Sequence, residues 1–362
     1  MAGAQVVGSL KPGQENRHSE QLVSLQCLRG IAATLVLMYH LSASLDEILG
    51  ISSLQRFFKH GFVGVDIFFV LSGFVIFYST RLDQGFGGVS NYIKKRATRI
   101  YPIYWLTLIP FYVCSGWGPL KTSLVHTPSA FVGTFLLLFN HVSYDGVSWT
   151  LSFELYFYLL YLPCVITRRL FFVPLSVFLI AGVRLIMIPP AFDNHGIADF
   201  LFSNLTLEFA FGLLAGWLFQ RQQRLHYSPY LHLICISVCW LYFASRLELQ
   251  RTLGFGTGAF LLVSSSASYE AKLRAAGIEL RLPTALTRLG DASYISYLIH
   301  LPILRICLKV LANFRLPESF VLVAALLFPA VICLLSIWLH EHLETPLLEG
   351  IRARLNPSTR SS

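Results

Sequence analysis

Charged side chains are scarce: Asp, Glu, Lys and Arg make up 13% of the 362 residues, against 55% hydrophobic. With a mean hydropathy of +0.61, the polar residues are too few to cover a water-soluble protein of this length, which excludes that class. The N-terminus lacks the apolar core and small-residue cleavage site of a cleaved signal peptide, since residues 1–23 are polar. The first apolar run must therefore direct its own insertion. No CxxC pair occurs among the seven cysteines (27, 114, 164, 235, 239, 307, 333), and all lie in or beside apolar runs. They read as small buried hydrophobes rather than metal ligands or disulfides. The formal charge of +9 comes without an aromatic–basic RNA-binding pattern, and the cations gather at the ends of apolar runs. That distribution serves membrane orientation and argues against a nucleic-acid partner.

What the chain does have is long apolar runs. Eleven can be drawn, over 24–46, 60–80, 97–115, 130–142, 149–167, 170–190, 199–219, 229–245, 252–267, 289–312 and 319–341. Thirteen residues rise only about 20 Å as a helix, too little for a hydrocarbon core of roughly 30 Å, so 130–142 is the doubtful crossing. Loop charge decides the count. With that run left out and the N-terminus inside, 19 Lys and Arg residues fall on the inner side, counting Arg29 and Arg99 at the inner edges of their runs, and 6 on outer loops. Counting it as a crossing moves Arg168, Arg169 and every later loop to the wrong side. The expected fold is therefore an all-α polytopic bundle of about ten transmembrane helices, with a re-entrant or surface-lying segment near 130–142. A membrane domain, 24–346, is flanked by tails 1–23 and 347–362, both expected in the cytoplasm. There is no internal repeat and no linker to a second domain.

Ionisable side chains at bilayer depth are costly, so each is a functional candidate. His40 in "LRGIAATLVLMYH" lies about six residues, roughly 9 Å, from the outer end of the first run. Asp66 in "GFVGVDIFFVLSGF" lies at a similar depth in the second, and Glu154 in "WTLSFELYFYLLYL" five residues below Trp149. A carboxylate beside an imidazole fixes its tautomer and stabilises its charged form, which is how a general base is built. A hydrogen-bonded structural histidine and interhelical carboxylate bonds are the alternatives. Arg29 stands eleven residues before His40, close to three turns, so the two share a face about 16 Å apart. Snorkelling to headgroups would also account for Arg29. In "NYIKKRATRIYP", Arg96 and Arg99 are spaced i, i+3 and on a helix could grip a phosphate together; membrane anchoring is the rival role. Trp149, Ser152, Tyr294, His300 and Arg305 are weaker candidates for contact with an acceptor, and a lone mid-membrane histidine such as His300 is commonly structural. No metal site is suggested.

These stretches resemble, in order, the motifs of the membrane-bound acyltransferase 3 family of bacterial O-acyltransferases. "LRGIAATLVLMYH" is similar to LRGxAAxxVxxxH, "GFVGVDIFFVLSGF" to GxxGVDxFFVLSGF, "RATRIYP" to RxxRIYP and "SWTLSFELYFYL" to WSLSxExxFYL, with weaker agreement in "LGDASYISYLIH" and "HLETP". The likeness runs from about residue 22 to 346. Thr150 stands where serine is commoner, and Phe153 where valine is. The resemblance implies transfer of an acyl group, usually acetyl, from cytoplasmic acyl-coenzyme A to a hydroxyl of a carbohydrate acceptor. It implies residence in the bacterial inner membrane and no permanently bound cofactor. By motif, His40 is the expected catalytic residue, with Asp66 and Glu154 matching the family carboxylates and Arg96 and Arg99 serving the donor, joined by Arg29. Some relatives carry a fused extracytoplasmic domain, which is not expected here. A proton-coupled transporter or glycan flippase is the rival class, because intramembrane His and carboxylates also build proton relays. The oligomeric state is left open.

Overall fold

A computed structural model describes residues 22–80, 85–114, 128–139, 146–187, 197–221, 228–246, 250–314 and 316–355. Most of the two polar tails, much of the 116–148 loop and the last three residues of the 130–142 segment lie outside the described residues. The described residues form fifteen α-helices: α1 (Val23–Leu49), α2 (Gln55–Phe58), α3 (Val63–Ser79), α4 (Gly85–Cys114), α5 (Pro128–Phe135), α6 (Trp149–Ile166), α7 (Phe172–Met187), α8 (Ile197–Leu201), α9 (Leu205–Arg221), α10 (Ser228–Arg246), α11 (Thr257–Ala275), α12 (Thr284–Asp291), α13 (Ser293–Ala312), α14 (Glu318–Leu339) and α15 (Thr345–Leu355). Short π-helical turns precede α11 (Thr252–Gly256) and α15 (His340–Glu344).

Among the described residues, seven helical stretches are long and apolar enough to cross a membrane. Their outward surface is apolar, with Leu179, Ile186, Val323 and Leu334 among many exposed large hydrophobics. Their interior instead holds Asp66, Arg96, Glu208, Glu270 and His300. A polar interior wrapped in hydrocarbon suits lipid as the surrounding solvent, and the protein is a membrane protein.

Three elements depart from the sequence expectation. The element expected over 97–115 begins twelve residues earlier: α4 runs unbroken for 30 residues, about 45 Å, and carries Lys94 to Arg99 on helix. The 252–267 segment continues to Ala275, because the apolar run ends but helix-compatible, partly buried residues do not. The 289–312 segment is broken at Ala292, where α12 stops and α13 begins. Within 130–142 the helix ends at Phe135, and Leu137 adopts φ 56°, a left-handed conformation that only surrounding contacts hold in a bulky residue.

Close backbone crossings set the position of α1. A Cβ on Gly30 would stand 2.3 Å from the Leu286 carbonyl oxygen, and one on Gly290 1.9 Å from that of Gln26. The absent side chains are what let α1 and α12 meet. Leu22, the residue before α1, offers no capping side chain. Glu270 of α11 takes that role, accepting from the Val23 and Ser24 N–H groups at 2.9 and 2.7 Å and complementing the positive helix start. On the far side of α3, Gly73 and Gly212 allow a second close crossing, with α9. Phe157 stacks on Phe209 at 4.5 Å and meets Phe69 edge-on, tying α6 to both.

Candidate active site

Between α1, α3, α4, α6 and α13 lies a cleft of about 690 Å³, counting the open solvent at its mouth. Arg29 enters it from α1, Ser72 from α3, Arg99 from α4, Glu154 from α6, and Ser293, Tyr294 and Tyr297 from α13; Val65, Phe68 and Phe69 make its apolar wall. Glu154 Oε1 accepts from the Ser72 hydroxyl at 3.4 Å and from the Tyr158 hydroxyl. The Tyr294 hydroxyl donates to the Ile100 carbonyl at 2.7 Å, so its ring is fixed against α4. Arg29 makes one weak hydrogen bond among the described residues, to Gln26 at 3.4 Å, with Asp291 and Glu154 nearby. Among the described residues Arg99 makes no hydrogen bond or ion pair, although it faces Tyr158 and Glu154.

His40 sits further along α1. Its Nδ1 is 3.0 Å from the Val36 carbonyl and 3.1 Å from His300 Nε2, while His300 Nδ1 is 3.2 Å from the Ser296 carbonyl. Those contacts assign both tautomers. A carbonyl only accepts, so His300 carries its proton on Nδ1 and presents a lone pair at Nε2. His40 Nδ1–H is then shared between that lone pair and the Val36 carbonyl, which leaves His40 Nε2 unprotonated. An imidazole held this way can accept a proton from a substrate hydroxyl. His40 does not line the cleft; Tyr297 is the bridge, lining the cleft and packing 5.7 Å from the His300 ring. Its hydroxyl accepts from Thr150 at 3.0 Å and donates to the Val147 carbonyl at 3.4 Å.

The expected carboxylate partners of His40 are elsewhere. Asp66 is fully buried and accepts two bonds from Arg251, at 2.8 and 3.1 Å, with the buried Glu208 carboxyl beside it. Glu154 belongs to the cleft. His300 stands where a carboxylate was expected because α13, not α3 or α6, packs on the His40 face of α1. Arg96 also turns away: it donates to Ser79 at 2.6 Å and lies over the Tyr92 and Tyr158 rings. The i, i+3 pair therefore does not point both guanidinium groups into one site. Ser152 donates to the Leu137 carbonyl at 2.9 Å and serves the turn after α5. Trp149 packs edge-on against Phe153, and Arg305 pairs with Glu47; neither lines the cleft. Arg184, a further cation inside an apolar run, pairs with Asp199.

Sequence reasoning missed Glu208, Arg251, Ser72 and Tyr158. Glu208 lies within an apolar run, and the rule that singled out Glu154 applies to it equally. Arg251 counted only as loop charge; its partner is 185 residues away, and nothing local announces the pair.

A half-buried imidazole and a cationic cleft, bridged by Tyr297 inside a bundle of apolar helices, together make the candidate site. The chain belongs to the acyltransferase-domain family, whose pattern it matches over residues 22–339. It is an acyltransferase of the kind that transfers groups other than aminoacyl groups. Exopolysaccharide production protein ExoZ of Rhizobium meliloti (strain 1021) is 29% identical over 308 residues, which cover 82% of this chain and 92% of that protein. The "Putative acetyltransferase ORF330" of Acidianus two-tailed virus is 32% identical over 143 residues, 38% of this chain and 39% of that protein. No solved structure matches.

Proposed function

We propose that the protein is an O-acyltransferase, acetyl by preference, that moves the acyl group of cytoplasmic acyl-coenzyme A to a hydroxyl of a carbohydrate acceptor. The similarity to an exopolysaccharide production protein favours an exopolysaccharide; a lipopolysaccharide or a lipid-linked oligosaccharide offers the same hydroxyl chemistry. The enzyme resides in the bacterial inner membrane with ten crossings and both termini inside, and the 130–142 segment dips into one face without crossing.

The reading rests on one observation, the unprotonated Nε2 that the Val36 carbonyl and His300, both at Nδ1, leave on His40. The donor lies in the cleft with Arg29 and Arg99, its thioester towards the His40 end. His40 Nε2 takes the proton of the acceptor hydroxyl as its oxygen bonds to the thioester carbonyl carbon. The tetrahedral adduct collapses with cleavage of the carbon–sulfur bond, and the thiolate receives the proton from His40. No net proton is consumed, and the base is restored.

General-base assistance is worth about 10² to 10⁴ in rate. His40→Ala should lose that much kcat in a reconstituted assay with radiolabelled acetyl-coenzyme A and purified glycan, while its melting temperature in detergent stays close to wild type. Wild-type turnover in the folded variant would refute the assignment.

A further inference from the structure

The cleft contains hydrogen-bonding groups of both kinds that the protein leaves unanswered. Arg29 and Arg99 offer guanidinium donors whose one hydrogen bond among the described residues is the weak Gln26 contact, with the Glu154 and Glu344 carboxyl groups near both and Asp291 near Arg29. Both protein bonds to Glu154 fall on Oε1, so Oε2 is an acceptor with no partner among the described residues. Ser293 Oγ, on the same wall, is buried and unpartnered. The rest of the wall is apolar, from Val65, Phe68, Phe69, Leu71, Val75 and Leu151.

A ligand that satisfies this wall must bring acceptors for the arginines and a donor for the carboxylate, on a body thin and apolar enough for the remainder. A diphosphate brings acceptors only and would be repelled by Glu154. An amide brings a carbonyl and an N–H on one planar unit. Leaving Glu154 Oε2 or the guanidinium groups desolvated and unpaired would cost more than the ordinary net worth of a hydrogen bond.

We infer that Glu154 is the specificity-determining acceptor for an amide N–H of the donor's pantetheine arm, with Arg29 and Arg99 receiving the amide carbonyls, so that the cleft reads the arm and not the phosphates. The inference rests on the acyl-coenzyme A reading above. It reassigns Glu154 from partner of the imidazole to reader of the donor, and explains why a carboxylate shares a cavity with two arginines. The nearby His40–His300 pair needs no carboxylate, since the Ser296 and Val36 carbonyls already fix both rings.

The test compares two donors on the full-length reconstituted enzyme: S-acetylpantetheine, and its analogue with both amide N–H groups replaced by ester oxygens. A hydrogen bond to a charged group is worth about 10- to 100-fold in binding. Wild type should favour the amide donor by that factor in kcat/KM. Glu154→Ala should bring the ratio near one by losing activity on the amide donor alone, and Glu154→Gln, whose carbonyl still accepts, should keep most of the preference. If Glu154→Ala lowers both donors equally, or changes only the KM of the glycan acceptor, the inference is overturned. Competition needs no variant: pantetheine should inhibit the wild-type enzyme at least tenfold better than its diester, and equal inhibition would also overturn it. Wild type that transfers from neither thioester nor from acetyl-coenzyme A would instead sink the donor reading, a separate result.

Discussion

Two clusters of arginine and carboxylate lie inside this bundle, and they have opposite character. Around Asp66, one guanidinium places two nitrogens on one carboxylate, and a second carboxylate, Glu208, packs alongside. None of the three lines the cleft. Around Glu154, two guanidinium groups and a carboxylate face a shared space without closing on one another. A polar group in a membrane protein is thus not a functional site by depth alone. What separates a fastening from a candidate site here is whether opposite charges close on one another: Arg251 closes on Asp66, whereas among the described residues no guanidinium closes on Glu154.

The contrast can be broken most forcefully at the fastening. Arg251→Ala leaves the Asp66 carboxylate buried beside Glu208 without its counter-charge, which should cost about 3–5 kcal/mol of stability. Thermal unfolding in detergent would report it. Replacing both members of the pair, as Asp66→Leu with Arg251→Met, should recover most of the loss, because two apolar side chains leave no orphaned charge. Full stability in Arg251→Ala would mean that the pair holds nothing together.

A smaller effect is expected at the imidazole pair. His300→Phe removes the acceptor of the His40 Nδ1–H, but the Val36 carbonyl still holds the same tautomer. A neutral hydrogen bond is worth about 1 kcal/mol net, so its loss should lower kcat roughly 5- to 10-fold with donor KM unchanged. A rise in donor KM would place His300 at the donor instead.

The smallest effect separates two neighbours on α4. Arg99→Lys should raise the KM of the donor several-fold while leaving the melting temperature nearly unchanged, since a lysine reaches a carbonyl without the fork of a guanidinium. Arg96→Lys should do the reverse, loosening the contacts with Ser79, Tyr92 and Tyr158 while sparing KM. Identical behaviour would erase the distinction drawn from their geometry.

Much of this was legible in the amino-acid order. Apolar runs gave the spanning elements because lipid demands continuous hydrophobicity from each helix separately. Placing a charge inside such a run singled out Arg29, Asp66 and Glu154 by the same rule, and His40 with them. Pairing was illegible, because a helix face chooses its partner through tertiary packing. Asp66 and His40 hold similar positions within their apolar runs, yet α3 turns Asp66 towards Arg251, and α13 brings His300 to His40. The ends of α4 and α11 were missed for a simpler reason: a hydropathy pattern registers where a chain leaves the hydrocarbon, and a helix need not stop there.

The tight seating of α1 has a metrical consequence. Anchored at its start by Glu270 and pressed against α12 through Gly30 and Gly290, this helix has little room to slide or rotate. Arg29 and His40 are graduations on a rigid ruler, about 16 Å apart. On the proposed reading, the protein gauges its thioester by span, and an arm lengthened or shortened by a few bonds would hold its carbonyl beyond the reach of the imidazole.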